Sequence, residues 1–205
     1  MRKLFLASSF SDVADVLARL DPTLTGKRVT FIPTASVVEK VTFYVKSGKR
    51  ALERLGMIVD ELEVSTASRD EITDKLSHND VIYVSGGNTF FLMQALQQSG
   101  AGALMTEQVA AGKLYIGESA GSMAVAPNIE YASVMDSVKK APALTGFEGL
   151  NLADLYPVPH HTNAPFKAAA AKIIATYGER LRLYPISNHE AIWVCGDEVA
   201  VHTAS

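Results

Sequence analysis

The feature that most constrains the fold is an alternation. Short apolar runs at Lys3–Ala7, Val29–Ile32, Ile58–Leu62, Val81–Val84 and Leu114–Gly117 alternate with longer segments whose apolar residues recur at helical spacing. Runs of four or five residues this apolar suit strands covered on both faces. Between them, Ser11–Leu20 opens on a serine and carries Val13, Val16, Leu17 and Leu20 at helical spacing, while Glu39–Leu55 places Phe43, Val45, Ala51, Leu52 and Leu55 around a longer helix closed by Gly56. Glu71–Leu76, Thr89–Gln98 and Leu104–Ala111 complete the set, the last closed by Gly112. Strand–helix alternation means βαβ units, because a parallel neighbour can be reached only by a crossover. The expected architecture is α/β: a three-layer, doubly wound, mostly parallel sheet.

Beyond Pro127 the pattern loosens. Pro142, Gly146, Gly149, Pro157, Pro159 and Pro165 punctuate it, and one helix is expected at Phe166–Tyr177, ended by Gly178. Leu181–Pro185, Ala191–Val194 and Glu198–Thr203 read as terminal strands, the last two joined at Gly196-Asp197. Neither an internal repeat nor a linker interrupts the chain, so residues 1–205 are expected to form a single domain.

Composition narrows the function classes. With 205 residues, 48% hydrophobic and 20% charged, the chain can bury a sizeable core. A net charge of −3 with scattered basic residues supplies no field for nucleic acid. No apolar run approaches the roughly 20 residues that span a bilayer, and the apolar part of Met1–Ala7 is short for a signal peptide, so no membrane partner and a cytoplasmic address are expected. Cys195 is the only cysteine, which excludes intrachain disulfides and thiolate-rich metal sites.

The chemistry concentrates at Leu114–Ala124, where an apolar strand runs into Gly117-Glu118-Ser119-Ala120-Gly121 and then a small-residue helical start. Strand, Gly-x-Ser-x-Gly and helix in that order form a nucleophile elbow. The sharp reversal lifts the Ser119 hydroxyl clear of the backbone, Gly117 and Gly121 remove side chains that would collide, and Ala120 stays small for the same reason. Helix N–H groups directed at the hydroxyl favour a developing oxyanion. In open α/β sheets ligands sit beyond the carboxyl ends of the strands. The residues there are Ser8-Ser9, Pro33-Thr34-Ala35, Ser85-Gly86-Gly87-Asn88-Thr89 and Glu118-Ser119. The glycine pair suits close approach of backbone N–H groups to a ligand, with Asn88 as helix cap and Thr89 beside it.

Ser119 needs a base. His78 lies in a surface turn and His202 near the carboxyl end, which leaves His160, His161 and His189. His160 and His161 sit in a rigid loop framed by Pro157 and Pro159. For an orienting acid, Glu190 in Asn188-His189-Glu190 precedes a strong strand; Asp136 or Asp154, paired with His160 or His189, would instead reproduce the Ser-acid-His order of α/β-hydrolases.

Three ordered motifs carry a family resemblance: Gly86-Gly87-Asn88-Thr89-Phe90, Leu114-Tyr115-Ile116-Gly117-x-Ser119-Ala120-Gly121 and Pro159-His160-x-Thr162-Asn163-Ala164. Together with Leu150-Asn151-Leu152 and the amino-terminal strand, they resemble the peptidase E (aspartyl dipeptidase) family over nearly the full chain. The resemblance implies a fold similar to class I glutamine amidotransferases (flavodoxin-like) and a serine peptidase that cleaves small peptides through a Ser-His-Glu triad and an acyl-enzyme. It needs no cofactor and no metal. By position it implies Ser119 as nucleophile, His160 as base, Glu190 as acid, Gly87 and Ala120 as oxyanion-hole donors, Asp136 as a polar pocket residue, and Asn88, Thr89 and Asn163 as neighbours of a peptide substrate. Two departures bear on specificity. The segment after the histidine loop, Pro165–Ala170, lacks the arginine that receives an aspartyl side chain in the family, and Glu118 stands where the family has a bulky aromatic, positioned to receive a free α-amino group. The alternatives are a non-catalytic small-molecule-binding member of the same fold and a cyanophycinase-like or esterase hydrolase.

Overall fold

In the computed structural model, which describes residues 1–204, seven strands form one sheet: β1 (Lys3–Ala7), β2 (Arg28–Ile32), β3 (Ile58–Glu61), β4 (Val81–Val84), β5 (Leu114–Glu118), β8 (Glu190–Cys195) and β9 (Glu198–Thr203). Their spatial order is β3-β2-β4-β5-β1-β8-β9. The first five run parallel, whereas β8 lies antiparallel to β1 and β9 antiparallel to β8. The two remaining strands, β6 (Tyr156–Val158) and β7 (Leu183–Pro185), pair in parallel as a separate small sheet. Leu181–Pro185 was expected among the terminal strands, but the edge of β1 is taken by β8, so this run instead pairs with the proline-framed segment that carries the histidines.

Side-chain alternation divides the core in two. Leu4, Leu6, Ile32, Ile82, Val84 and Tyr115 point to one face, where they meet helices α3 (Arg69–His78), α4 (Thr89–Ser99), α5 (Ala101–Ala110) and α7 (Lys167–Tyr177). Phe5, Ala7, Val29, Phe31, Val81, Tyr83 and Ile116 point to the other, under α1 (Phe10–Leu20) and α2 (Phe43–Arg54). This is the three-layer arrangement read from the alternation of runs. Each such side chain taken from water contributes on the order of 1.5–3 kcal/mol, and the stack of Phe31 on Tyr83, centroids 4.9 Å apart, anchors the second face.

α2 begins at Phe43 rather than Glu39, because Glu39 is held elsewhere: its N–H closes a 3₁₀ turn on the Ser36 carbonyl and its carboxylate pairs with Lys140 at 2.7 Å. Among the described residues no helix is long and apolar enough to cross a membrane. The carboxyl ends of β4, β5 and β1 lie side by side, with Val84 opposite Gly117 and Ala7 opposite Glu118. That gathers the Gly86-Gly87 turn, Ser119 and Ser8 at one edge.

Candidate active site

Ser119 separates β5 from the four-residue helix α6 (Ala120–Met123) with φ 49° and ψ −106°. A non-glycine residue there carries about 1–3 kcal/mol of strain and persists only where its surroundings dictate it. They do: the Ser119 N–H donates to the Ala7 carbonyl at 2.9 Å, and its own carbonyl accepts from the Ser122 and Met123 N–H groups. The Ser122 hydroxyl, bonded to the carbonyls of Ala7 and Gly117, stitches the turn to both strands. A Cβ on Gly117 would lie 2.6 Å from the Gly121 carbonyl oxygen, and one on Gly121 would run into the Val84 carbonyl. The two glycines are therefore dictated by backbone on backbone. Gly87, at φ 137°, faces the Ala35 carbonyl in the same way.

The imidazole arrives from the other side. His160 follows β6 by two residues with φ 60°, its N–H donating to the Ser8 hydroxyl at 3.0 Å, and that hydroxyl in turn donates to the Ile186 carbonyl. The Phe166 ring stacks on the imidazole, centroids 5.0 Å apart and planes 29° from parallel. His160 Nε2 lies 3.0 Å from Ser119 Oγ, and Nδ1 lies 2.8 Å from Asn188 Oδ1. A carboxamide oxygen only accepts, so Nδ1 carries the proton and Nε2 is left as the acceptor for the serine O–H. Burial pushes the His160 pKa below the usual imidazole value, an effect the Asn188 hydrogen bond opposes. The ring is thus held neutral, in the tautomer that can take a proton from Ser119.

Asn188 stands where Glu190 was expected. The Glu190 carboxylate turns back to accept the Ser187 N–H at 2.7 Å, closing its own turn, while Asn188 is steadied by its N–H to Asn163 Oδ1 at 2.9 Å. Asn188 lies in the turn before β8, whereas Glu190 is the first residue of that strand, so the two side chains leave the backbone in different directions and the carboxylate folds back on the Ser187 N–H. Asp154 is exposed, His189 is exposed, and the His161 N–H is drawn to the Ile186 carbonyl, so none of these completes the site.

Glu118 is corrected as well. It is only 3% exposed and points under the turn, not toward a substrate amine. Its Oε1 accepts from the Phe10 N–H at 2.9 Å and its Oε2 from the Tyr83 hydroxyl at 2.8 Å. Asn88 and Thr89 are also buried. Asn88 Oδ1 caps α4 at the Phe91 N–H and its Nδ2 donates to the Ser137 carbonyl, whereas the Thr89 N–H and hydroxyl both donate to Asp136 Oδ2, at 2.9 and 2.6 Å. These residues brace the glycine turn rather than offer free polar groups, and burial raises the Asp136 pKa.

Two aromatic residues at the site went unread in the sequence. Phe166, on the imidazole, had no signal beyond its place after the histidine loop. Tyr44, whose ring atoms come within 3.5 Å of where a Gly86 Cβ would stand, was one apolar position among many in its helix. Burial pushes the Tyr44 phenol up to about 12, with Glu39, Glu118 and Asp136 adding to the shift.

A strained serine on a strand–helix turn of an α/β fold, in hydrogen-bond contact with an imidazole that is oriented by a third side chain, is an arrangement able to activate a hydroxyl. The model of peptidase family S51 matches residues 4–202. An uncharacterized peptidase of Listeria monocytogenes, Lmo0363, is 56% identical over 199 residues, covering 97% of either chain, and a peptidase E of Shigella flexneri is 34% identical over 142 residues, covering 69% of this chain and 58% of its own. A crystal structure of a Listeria monocytogenes EGD-e protein described as a peptidase E superposes with a TM-score of 0.96 at 54% identity, over the full length of both chains. The chain belongs to peptidase family S51 and is a peptidase by that membership.

Proposed function

We propose that the protein is a serine-type peptidase that cleaves small peptides through Ser119, His160 and Asn188. The observation that carries this reading is the 3.0 Å contact between Ser119 Oγ and His160 Nε2, made by a serine held at positive φ. His160 Nε2 takes the Ser119 proton as Oγ attacks the scissile carbonyl carbon; the tetrahedral oxyanion is stabilised by the Gly87 and Ala120 N–H groups; His160 then returns the proton to the leaving amine. Water, deprotonated by the same imidazole, releases the acid product and restores the serine.

Asn188 orients the imidazole without bringing a charge, as in the Cys-His-Asn variant of the triad. A neutral partner stabilises the imidazolium less than a carboxylate does, so the rate rests more heavily on the oxyanion donors. On the substrate side, Pro165–Ala170 contributes no arginine, and the charged groups around Tyr44 are, apart from the buried Glu118, Asp136 and a Glu39 whose carboxylate already holds Lys140. That set does not favour an aspartyl side chain, and we assign the enzyme to small peptides without an acidic residue at the cleaved bond.

A fluorophosphonate probe followed by peptide mapping tests the nucleophile, and a dipeptide library tests the substrate. Expected are phosphonylation of Ser119, none in Ser119→Ala, and turnover of neutral dipeptides above aspartyl ones. An unlabelled wild-type protein, or wild-type turnover by Ser119→Ala, would remove the serine from the mechanism.

A further inference from the structure

The Glu118 carboxylate has no part in the mechanism above, yet it sits directly before the nucleophile and gathers donors from three separate elements. The Phe10 N–H comes from the start of α1 and the Tyr83 hydroxyl from β4, and the Gly86 N–H of the turn that holds Gly87 faces the same carboxylate and favours its charge less than either. A fourth element is registered on the same group. Gly48 of α2 is buried against it: a Cβ there would collide with Tyr83 Oη and stand 3.6 Å from Glu118 Oε2. One helical turn earlier on the same helix, the Tyr44 ring lies on Gly86, whose own Cβ position is 3.3 Å from Ser119 Cβ. An apolar residue would avoid the carboxylate's desolvation cost but would leave the buried Phe10 N–H and Tyr83 hydroxyl without an acceptor.

The geometry points to Glu118 as a positioning residue that sets the Gly86-Gly87 turn, and with it the oxyanion-binding N–H of Gly87, against the Ser119 hydroxyl. The inference rests on the serine-peptidase reading. Its physical content is an acceptor count. An ionised carboxylate accepts from the Phe10 N–H and the Tyr83 O–H and attracts the Gly86 N–H that faces it, whereas a protonated one turns one oxygen into a donor and leaves a donor of the cluster without a partner. The titratable groups facing it are Asp12 on α1, Tyr44 on α2 and Tyr83 on β4, which are acids or phenols. Burial lifts the Glu118 pKa to about 7, against the hydrogen bonds from Phe10, Tyr83 and Gly86 that favour the charge. His160 titrates lower, below the usual 6.5. The acid limb of Ser119 reactivity should therefore follow Glu118, not the base.

The test is the second-order rate of fluorophosphonate labelling between pH 5 and 9 for the wild type, Glu118→Gln, Tyr83→Phe and Ser119→Ala. Glu118→Gln keeps the shape and cannot ionise: labelling at pH 8 should fall roughly tenfold or more, within the scale of a displaced oxyanion donor, and its acid limb should drop to the lower pH of His160. Tyr83→Phe removes one bond that favours the charge, so its limb should move the other way, above that of the wild type. A residue that merely stabilised the fold would not displace the limb in opposite directions. Should Glu118→Gln fail to fold, the upward shift in Tyr83→Phe carries the test alone. If Ser119→Ala is silent while both variants label with the wild-type rate and limb, the role of Glu118 is overturned and the serine reading stands. If Ser119→Ala labels like the wild type, the serine reading falls and this inference with it.

Discussion

The two halves of the site are built by different means. The serine half is main chain on main chain: glycines 117 and 121 packed on carbonyls, an N–H to Ala7, and a hydroxyl from Ser122 closing both strands. The histidine half depends on side chains. Asn188 and Phe166 contact the ring itself, while the Ser8 hydroxyl accepts from the His160 N–H and Asn163 Oδ1 from the Asn188 N–H. A backbone-built half tolerates almost no change in residue size but asks little of side-chain chemistry. A side-chain-built half tolerates substitution in degrees, because each partner supplies a fraction of the orientation.

That contrast can be broken from either side. The largest effect is expected from Ser119→Ala, with a loss on the order of 10⁴–10⁶ in kcat, as for the nucleophile of a cooperating triad; turnover of the best dipeptide measures it. Gly121→Ala forces a methyl into the Val84 carbonyl, so overpacking of about 1–3 kcal/mol should lower the thermal midpoint and distort the elbow together, read by calorimetry and probe labelling on one sample. A stable, fully labelled Gly121→Ala would mean that the serine half is not fixed by backbone contact.

On the histidine half, Asn188→Ala frees Nδ1 to take either tautomer and should cost on the order of 10² in kcat with little change in KM, well below the roughly 10⁴ lost when the charged acid of a serine triad is replaced. Glu190→Gln is the internal control and the smallest effect. Its carboxylate serves the Ser187 N–H, so kcat should change by less than about twofold, the scale of a ±0.5 kcal/mol surface substitution. Stability should respond differently. Hydrogen bonds from Ser187 hold the Glu190 pKa below its ordinary 4.5. A depressed folded-state pKa contributes stability that is present above pH 4.5 and is lost as pH falls through the lower folded value. Denaturant titrations below pH 4.5 should show the wild type losing that increment and Glu190→Gln having none to lose. A reversed ranking, with Glu190→Gln inactive and Asn188→Ala unaffected, would return the orienting role to the glutamate.

Much of this was legible in the residues. The five parallel strands, the two apolar faces and the elbow all depend on near neighbours in sequence, where periodicity and steric exclusion act directly. His160 was legible to the level of a loop. The partner of its Nδ1 was not: Asn188 and Glu190 share one turn, and only the direction in which each side chain leaves the backbone separates them. Glu118 was misread for a related reason, since a carboxylate beside a nucleophile looks the same whether it faces the cleft or the core.

From its order of residues alone the chain determined a three-layer α/β fold, a serine on a strained turn, and a histidine in a proline-framed loop, because each follows from local sterics or from the period of apolar side chains. Tertiary structure alone decided which oxygen meets His160 Nδ1, that Glu118 lies beneath the turn with Phe10 and Tyr83, and that Phe166 covers the imidazole. Those contacts join residues far apart along the chain, and their geometry is set by how the layers pack, which no local pattern records.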